Sequence, residues 1–297
     1  MELFGTAGVR GSVRDRVTPE LAVAVGRAVG IGVVDDAGDS SETDTDEPAG
    51  RSATVVVARD GRPTGEALAA AMEAGIESAG ADVRRAGVLP TPALAYASQG
   101  RYGVMLTASH NPPTDNGIKV FVDGQEYGRD RESAVETRVA HGESPAAWDE
   151  WGGSEEVSPL AGYRRAVVEY ARGHGGPADG LEIAVDCGTG TGALGTPQVL
   201  RELGARVVTL NGQVDGHFPG RESKPTPETL GDLRAFLSRS AFDFGVAHDG
   251  DADRIVVLDS QGAIVHEDTV VAILAEHFVR TASASDPVVV TTPNASG

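Results

Sequence analysis

The sequence predicts an α/β protein built from tandem domains. Short apolar runs typical of buried strands alternate with segments whose apolar residues recur at helical spacing. Glycine and proline turns separate the two kinds of segment, and the alternation restarts after a polar stretch near residue 150. A chain of 297 residues is long enough for two such domains and part of a third.

The first predicted domain covers residues 1–150. A helix begins at Thr18-Pro19-Glu20, where a capping hydroxyl precedes proline at the first helical position. Residues 35–50 contain no large apolar side chain, so we interpret them as an acidic, disordered loop insertion. The other predicted elements are a strand at 54–58, a helix at 65–80, a turn at 89–92 leading into a helix, and strands at 103–106 and 118–122.

The second predicted domain covers residues 155–260, and residues 261–297 would open a third. Residues 142–158, rich in glycine, proline, tryptophan and acid, are interpreted as an interdomain connection. The later predicted helices lie near 163–172, at 196–203, 228–238 and 267–281, and the strands at 182–187, 206–210, 243–246, 255–258 and 288–290.

The charge of the chain excludes some partners. The formal net charge is −19, the sequence pI is about 4.7, and Lys119 and Lys224 are the only lysines. Such a surface argues against nucleic acid and anionic membranes as partners, because both attract positive charge. It suits a halophilic cytoplasm, with an ordinary acidic protein from a GC-rich genome as the alternative.

Cysteine usage and hydropathy indicate a cytoplasmic protein. Cys187 is the single cysteine, so no intramolecular disulfide forms, and its apolar strand predicts a packed core thiol. We see no export signal and no run of eighteen apolar residues, so we expect no membrane association.

Ser109 is the first candidate catalytic residue. It follows the apolar strand at 103–106, and open α/β sheets place their chemistry at the carboxyl ends of strands. Its neighbour His110 would point to the opposite face of an extended segment, so a Ser-His-Asp triad is not indicated. A merely capped turn is the alternative for this loop. Downstream, Lys119 is either an anion clamp or, with its pKa lowered by desolvation, a proton shuttle.

Three carboxylates on alternate residues, Asp249, Asp251 and Asp253, predict a cation site. Mg²⁺ binds a few carboxylates and keeps water or phosphate oxygens in its other positions. An EF-hand is excluded, because Arg254 and Ser260 replace its glycine and glutamate. A solvated acidic turn is the remaining alternative.

Two glycine-rich turns could bind phosphate. Arg10 follows the first, Phe4 to Gly11, which could offer backbone N–H groups and a guanidinium. The second, Gly188 to Ala193, fits a dinucleotide fingerprint. No acidic residue follows about twenty positions on, where Leu210-Asn211-Gly212 stands, so we interpret it as a tight strand-to-helix turn.

These motifs, in this order, resemble the α-D-phosphohexomutase family, which includes phosphoglucomutase, phosphomannomutase and phosphoglucosamine mutase. The matching pieces are Phe4 to Gly11, Thr107 to Pro112, Asn116 to Lys119, Asp215 to Pro219 and Asp249 to Arg254. The resemblance implies tandem phosphohexomutase-type α/β/α domains with mixed sheets, two complete and a partial third, around a cleft.

The resemblance also implies a reaction. Ser109, when phosphorylated, would give its phosphoryl group to a hexose phosphate, with a hexose 1,6-bisphosphate as intermediate and activator. One Mg²⁺ per chain would be held by Asp249, Asp251, Asp253 and a phosphoserine oxygen. Lys119 would be the general acid or base, with His110 assisting. Arg10 and Arg254 would stabilise phosphoryl oxygens.

The chain departs from the family pattern at its end. The family's sugar-selecting loop, Gly-Glu-x-Ser-Gly-His, and its fourth domain are absent from the sequence. We therefore expect a truncated, haloarchaeal chain that is impaired alone and needs a complementing C-terminal polypeptide, or is a fragment. The alternatives are a non-catalytic or fragmentary mutase-derived binding protein and a Mg²⁺-dependent phosphatase.

Overall fold

The computed structural model describes residues 3–5, 8–39, 53–282 and 286–290. These residues contain two β-sheets, each with apolar clusters on both faces. The tandem α/β prediction is confirmed. Within the described residues, no helix combines the length and the apolar character needed to span a membrane.

The first sheet has seven strands. They are β1 (Val9–Ser12), β2 (Thr54–Arg59), β3 (Asp82–Val88), β4 (Tyr102–Leu106), β5 (Asp115–Val122), β6 (Gln125–Glu126) and β7 (Ser154–Glu156). The order is β1-β5-β4-β2-β3-β7, with β6 paired to β5. β5 is antiparallel to β1 and β4, whereas the β4-β2-β3-β7 ladder is parallel, so the sheet is mixed.

Helices cover both faces of this sheet. They are α1 (Pro19–Asp39), α2 (Gly65–Glu77), α3 (Thr91–Ala97) and α4 (Arg129–His141). Alternation along β2 decides which face each side chain joins: Val55 and Val57 lie in the core with α1 and α2, and Val56 and Ala58 lie in the core with α3. The result is a three-layered α/β/α unit.

The acidic stretch begins as helix, not as loop. α1 continues to Asp39, and the carboxylates of Asp35 and Asp36 form ion pairs of 3.0 and 2.8 Å with Arg138 and Arg131 of α4. Acids in a last helical turn oppose the helix dipole, and these arginines offset that cost. The prediction of a loop is therefore wrong for residues 35–39, and residues 40–50 lie outside the described residues.

The second sheet has five strands. They are β8 (Glu182–Asp186), β9 (Arg206–Leu210), β10 (Phe244–His248), β11 (Ile255–Asp259) and β12 (Ile264–Val265), in the order β12-β11-β10-β8-β9. β8 is parallel to β9 and β10, and β11 is antiparallel to both of its neighbours. The 3₁₀ turn Thr191–Leu194 packs on one face, and α7 (Gly231–Leu237) packs on the other.

α5 (Leu160–His174) joins the two units. The ring of Tyr163 lies 6.1 Å from that of Tyr96 in α3. The Nε of Arg164 donates to the Leu194 carbonyl at 2.6 Å, just before α6 (Thr196–Glu202). One helix therefore contacts elements that belong to both sheets.

The sheets extend beyond the expected boundaries. β7 lies within the stretch interpreted as a connection, yet it pairs with β3, so the first sheet ends at Glu156 rather than near 150. β12 pairs with β11, so the second sheet ends at Val265 rather than at 260. α8 (Glu267–Thr281) follows, and residues 288–290 form no strand, contrary to prediction. A third domain stays a prediction.

Candidate active site

Ser109 lies in the loop after β4, at the carboxyl end of that strand. Its φ is 51°, in the left-handed region that few non-glycine residues adopt, at a cost of about 1 kcal/mol. The Ser109 N–H donates to Oγ1 of Thr107 at 2.9 Å, and the buried Ser109 Oγ donates to Oδ2 of Asp249 at 2.6 Å. The loop thus aims the hydroxyl at the second sheet's acidic loop.

Arg62 holds this serine loop from beneath. Its side chain is fully buried, and its Nε lies 3.0 Å from Oδ2 of Asp60, which also accepts from Thr107 Oγ1 at 2.8 Å. Its terminal nitrogens donate to the carbonyls of Ser109 at 3.0 Å, Asn111 at 2.8 Å and Asp115 at 2.9 Å. One guanidinium therefore fixes the backbone on both sides of His110.

The three aspartates converge in the loop between β10 and β11. One oxygen from each of Asp249, Asp251 and Asp253 lies within 4.8 Å of the others. Asp251 Oδ2 accepts from Thr91 Oγ1 at 2.7 Å, but its buried Oδ1 has no hydrogen-bond partner among the described residues. An orphaned carboxylate oxygen among three carboxylates fits a hard cation with oxygen ligands, such as Mg²⁺.

The charges in this loop repel one another. Burial, together with Asp251 and Asp253, raises the pKa of Asp249 to about 7. Burial and Asp253 likewise raise the pKa of Asp251. For Asp253, burial opposes ionisation, but the hydrogen bond and charge of Lys119 lower its pKa. A bound cation would remove this repulsion, which supports the cation-site interpretation over a solvated acidic turn.

Lys119 comes from β5 and points into the same loop. Its Nζ lies 2.6 Å from Oδ2 of Asp253, 3.1 Å from Glu126 Oε1 and 3.8 Å from Asp251 Oδ2. Burial alone would lower the pKa of Lys119, but these carboxylates outweigh burial and raise it. Of the two alternatives for Lys119, the raised pKa does not support a proton shuttle with a lowered pKa, because the acids of the loop surround the amine. Lys119 is a charged ammonium in this arrangement.

His110 faces a group of cations. Its Nδ1 lies 2.9 Å from Nη1 of Arg254, and a guanidinium only donates, so Nδ1 accepts. Burial and the charges of Arg254, Arg10 and Lys224 lower the pKa of His110 to about 4. The ring is therefore neutral at pH 7, with its hydrogen on Nε2. Ser109 bonds to Asp249 rather than to His110, in agreement with the expected lack of a triad.

Arg10 is a further cation near His110. It lies on β1 opposite Gly117 of β5. Its Nε and Nη2 are buried and have no acceptor among the described residues. Buried guanidinium donors without acceptors indicate a site for an anion. Of the preceding glycine-rich turn, Thr6 and Ala7 lie outside the described residues.

The second glycine-rich turn packs against protein. A Cβ on Gly188 would lie 2.7 Å from Cζ of Arg221, and one on Gly190 would lie 2.6 Å from the Gly250 carbonyl oxygen. The glycines therefore allow close packing against the acidic loop. This arrangement fits the tight-turn interpretation.

The structure brings together every candidate residue of the sequence. Ser109, His110, Lys119 and Arg10 come from the first sheet, and Arg254 and the three aspartates come from the second. Sequence reasoning missed Asp60, Arg62, Thr91 and Glu126, which position or neutralise these groups. Asp60-Gly61-Arg62 follows a strand, as active-site loops do, and this was the signal available in the sequence.

Family models match most of the chain. Residues 1–146 match the model described as phosphoglucomutase/phosphomannomutase, alpha/beta/alpha domain I, and residues 162–262 match the model for domain II. A solved structure of a phosphoglucomutase/phosphomannomutase family protein from Burkholderia thailandensis is 29% identical, with a TM-score of 0.80. The match covers 94% of this chain and 59% of that one.

Relatives carry mutase names. A phosphopentomutase from Thermococcus kodakarensis is 41% identical over 283 residues, which are 94% of this chain and 58% of the relative. A "probable phosphoglucosamine mutase" from Methanopyrus kandleri is 40% identical over 281 residues, 93% of this chain and 58% of the relative. The chain thus spans less than two thirds of the length of these relatives.

Proposed function

Because the chain belongs to the phosphoglucomutase/phosphomannomutase family, we propose that it carries out the phosphoryl transfer of a phosphohexomutase. Ser109 would take and return the phosphoryl group. The observation that supports this role most directly is the 2.6 Å hydrogen bond from Ser109 Oγ to Asp249 Oδ2. This bond joins a hydroxyl of the first sheet's loop to the carboxylates of the second sheet's loop, as a phosphoserine next to a cation site would require.

The proposed reaction interconverts hexose 1-phosphate and hexose 6-phosphate. A hydroxyl oxygen of the sugar would bond to the phosphorus on Ser109 while the bond from phosphorus to Oγ breaks, and the hydroxyl proton would be relayed by Lys119 or His110 to the released Oγ. The hexose 1,6-bisphosphate would then reorient in the site and return its other phosphoryl group to Ser109. The same bisphosphate would activate an unphosphorylated chain.

Asp249, Asp251 and Asp253 would hold one Mg²⁺, with an oxygen of the phosphorylated serine completing the set. The orphaned oxygen of Asp251 and the raised pKa values of Asp249 and Asp251 support this assignment. When bound, Mg²⁺ would withdraw charge from the transferring phosphoryl group.

The other residues act as cations and proton carriers. Arg10 and Arg254 would bind phosphoryl oxygens, since both guanidinium groups face the cleft around His110. The charged Lys119 would donate a proton to an oxygen as it leaves phosphorus, or stabilise charge on the phosphoryl group. The neutral His110 would donate from Nε2 or relay a proton.

The matched region covers 58% of the length of each of the two mutase relatives, so isomerisation of a sugar phosphate by the whole protein is a proposal. A cytoplasmic location, a halophilic source and a complementing polypeptide stay predictions.

Phosphorylation of Ser109 is the test. The purified chain is incubated with Mg²⁺ and one sugar bisphosphate at a time, that of glucose, glucosamine or ribose. Peptide mass spectrometry then locates the phosphate on the chain. We expect one phosphate per chain on Ser109 and none in Ser109→Ala. Ser98→Ala, which removes a buried hydroxyl bonded to the Ala95 carbonyl, is the matched control and should be labelled normally. Label on another residue, or none from any donor, would favour the non-catalytic alternative, and net phosphate release would favour the phosphatase.

A further inference from the structure

Phe218 lies between the two catalytic loops. Its ring centroid is 5.1 Å from Cζ of Arg62, the residue that holds the serine loop. On the side of the acidic loop, a Cβ on Gly250 would lie 3.1 Å from Cζ of Phe218. The aromatic ring, only 8% exposed, thus contacts the support of one loop and the backbone of the other.

The segment that carries Phe218 is pressed against the first domain. A Cβ on Gly216 would lie 2.2 Å from the Gly61 carbonyl oxygen and 2.4 Å from Cα of Arg62. A Cβ on Gly61 would lie 2.7 Å from Cγ1 of Val214. The backbone at Gly216 therefore packs directly on that of Gly61 and Arg62, and the Val214 side chain packs on Gly61.

The same segment is anchored in the second domain and reaches the serine loop. Asp215 donates from its backbone N–H to the Thr189 carbonyl at 2.8 Å, and Arg221 Nη2 donates to the His248 carbonyl at 2.6 Å. Ser223 Oγ donates to the Asn111 carbonyl at 3.2 Å, the oxygen that Arg62 also binds. These bonds leave the segment little freedom.

Phe218 itself has an unusual backbone. Its φ is 54°, in the left-handed region, and its N–H donates to the Asp215 carbonyl at 3.0 Å. A large side chain in this conformation carries strain, which persists only where the surroundings hold it. The strained backbone would be explained if it holds the Phe218 ring in its position between the two loops.

We propose that Phe218 is a positioning residue that sets the spacing between Ser109 and the acidic loop. Ser109 and Asp249 belong to different domains, so no single sheet fixes the distance between them. The ring acts as a rigid spacer between Arg62 and Gly250, and its removal lets the serine loop move relative to the aspartates. The consequence for phosphoryl transfer rests on the proposed function, whereas the coupling of the two loops does not.

Phe242 is a matched control. It lies in the second domain, is 7% exposed, and also has an arginine over its ring, with Cζ of Arg206 5.9 Å from the centroid. It packs on Phe236 in the core beside α7, and contacts neither catalytic loop in these interactions. Truncating Phe242 therefore removes comparable packing without touching the proposed spacer.

The experiment compares Phe218→Ala and Phe218→Leu with Phe242→Ala and Phe242→Leu. Amide hydrogen exchange is followed in peptides that contain Thr107 to Asn111 and His248 to Arg254, alongside Tm and the rate of Ser109 phosphorylation. We expect Phe218→Ala to speed exchange in both loops about tenfold and to slow phosphorylation about 10²-fold, with Phe218→Leu between it and wild type. The Phe242 variants should lower Tm but leave both loops unchanged.

The leucine variant keeps the test usable if Phe218→Ala does not fold. Equal exchange in the serine loop for the two leucine variants would overturn the proposal and make Phe218 an ordinary core residue. The two proposals can also fail separately. If the wild type never acquires phosphate, but Phe218→Leu still speeds exchange in the serine loop, the proposed function is overturned and the coupling of the loops is supported.

Discussion

Ser109 and Asp249 are separated by 140 positions in the sequence and joined by a 2.6 Å hydrogen bond between Oγ and Oδ2. Each lies at the carboxyl end of a strand, β4 in the first sheet and β10 in the second. The two sheets therefore face each other at the carboxyl ends of β4 and β10. The proposed phosphoryl transfer would therefore depend on this contact between the two units.

Asp249→Asn should stabilise the cation-free chain at pH 8. The pKa of Asp249 is raised from 3.8 to about 7 in the folded chain. The contribution of this carboxyl group to folding stability is therefore full below pH 3.8 and is lost as the pH rises through 7, where the buried group ionises. We expect the variant to be more stable than wild type at pH 8 by roughly 1–3 kcal/mol, with a smaller difference at pH 5. Urea unfolding in chelator at both pH values measures it. The exposed Asp232→Asn is the control, and an equal response from both variants would refute the argument.

Mg²⁺ should raise the Tm of the wild type, and more so at pH 8 than at pH 6. A cation binds the ionised carboxylates and so competes with the proton on Asp249. Scanning calorimetry with and without chelator measures the shift. The shift should be lost in Asp251→Asn. An unchanged shift in that variant would place the cation elsewhere.

Arg62→Met should destabilise the first domain by about 3–5 kcal/mol, because it leaves the buried Asp60 carboxylate without its partner. Arg59→Met is a matched control, since Arg59 pairs at 3.7 Å with the exposed Glu66 and should cost less than about 1 kcal/mol. Chemical denaturation gives both values. Similar losses of unfolding free energy in the two variants would mean that the buried ion pair stabilises the fold no more than the exposed one.

Gly250→Ala should impair phosphorylation. The added methyl group would lie 2.7 Å from the Ser109 carbonyl oxygen, in a loop that Arg62 holds in place. We expect phosphorylation to slow about 10²-fold. Gly128→Ala, where a methyl group meets nothing within 4 Å, should leave the rate unchanged. A normal rate in Gly250→Ala would show that the loops separate easily.

Cys187 should be inert in the folded chain. Burial, reinforced by Asp186, raises the pKa of its thiol to about 12, and the side chain is fully buried. At pH 8 a disulfide reagent should modify it roughly 10³-fold more slowly than in denaturant. Fast modification of the native chain would reveal opening of the second core.

Elements with a one-sided apolar pattern could be predicted from the sequence. α8 and β9 lie where the pattern places them. β3, Asp-Val-Arg-Arg-Ala-Gly-Val, escapes prediction because charged residues interrupt it, and α4 escapes because Val135 is its only buried residue. Such elements owe their structure to the surface on which they pack.

The residues of the site also fall into two groups, those that the sequence indicates and those that it does not. Ser109 and the three aspartates follow predicted strands and form local motifs, so the sequence indicates them. Arg62 acts on carbonyls 47 to 53 positions away, and no local pattern reports such contacts. The raised pKa of Lys119 likewise depends on acids from other segments, Asp251 and Asp253 among them.

The contrast between the two lysines makes the chain suited to selective labelling. Lys119 is 3% exposed and paired with carboxylates, which keep it protonated, whereas Lys224 is exposed and close enough to His110 to affect its pKa. Amine-reactive dyes at neutral pH would therefore modify Lys224 in preference to Lys119. A fluorophore at Lys224 would lie near His110, and its emission would test for the sugar phosphate that the proposed function requires.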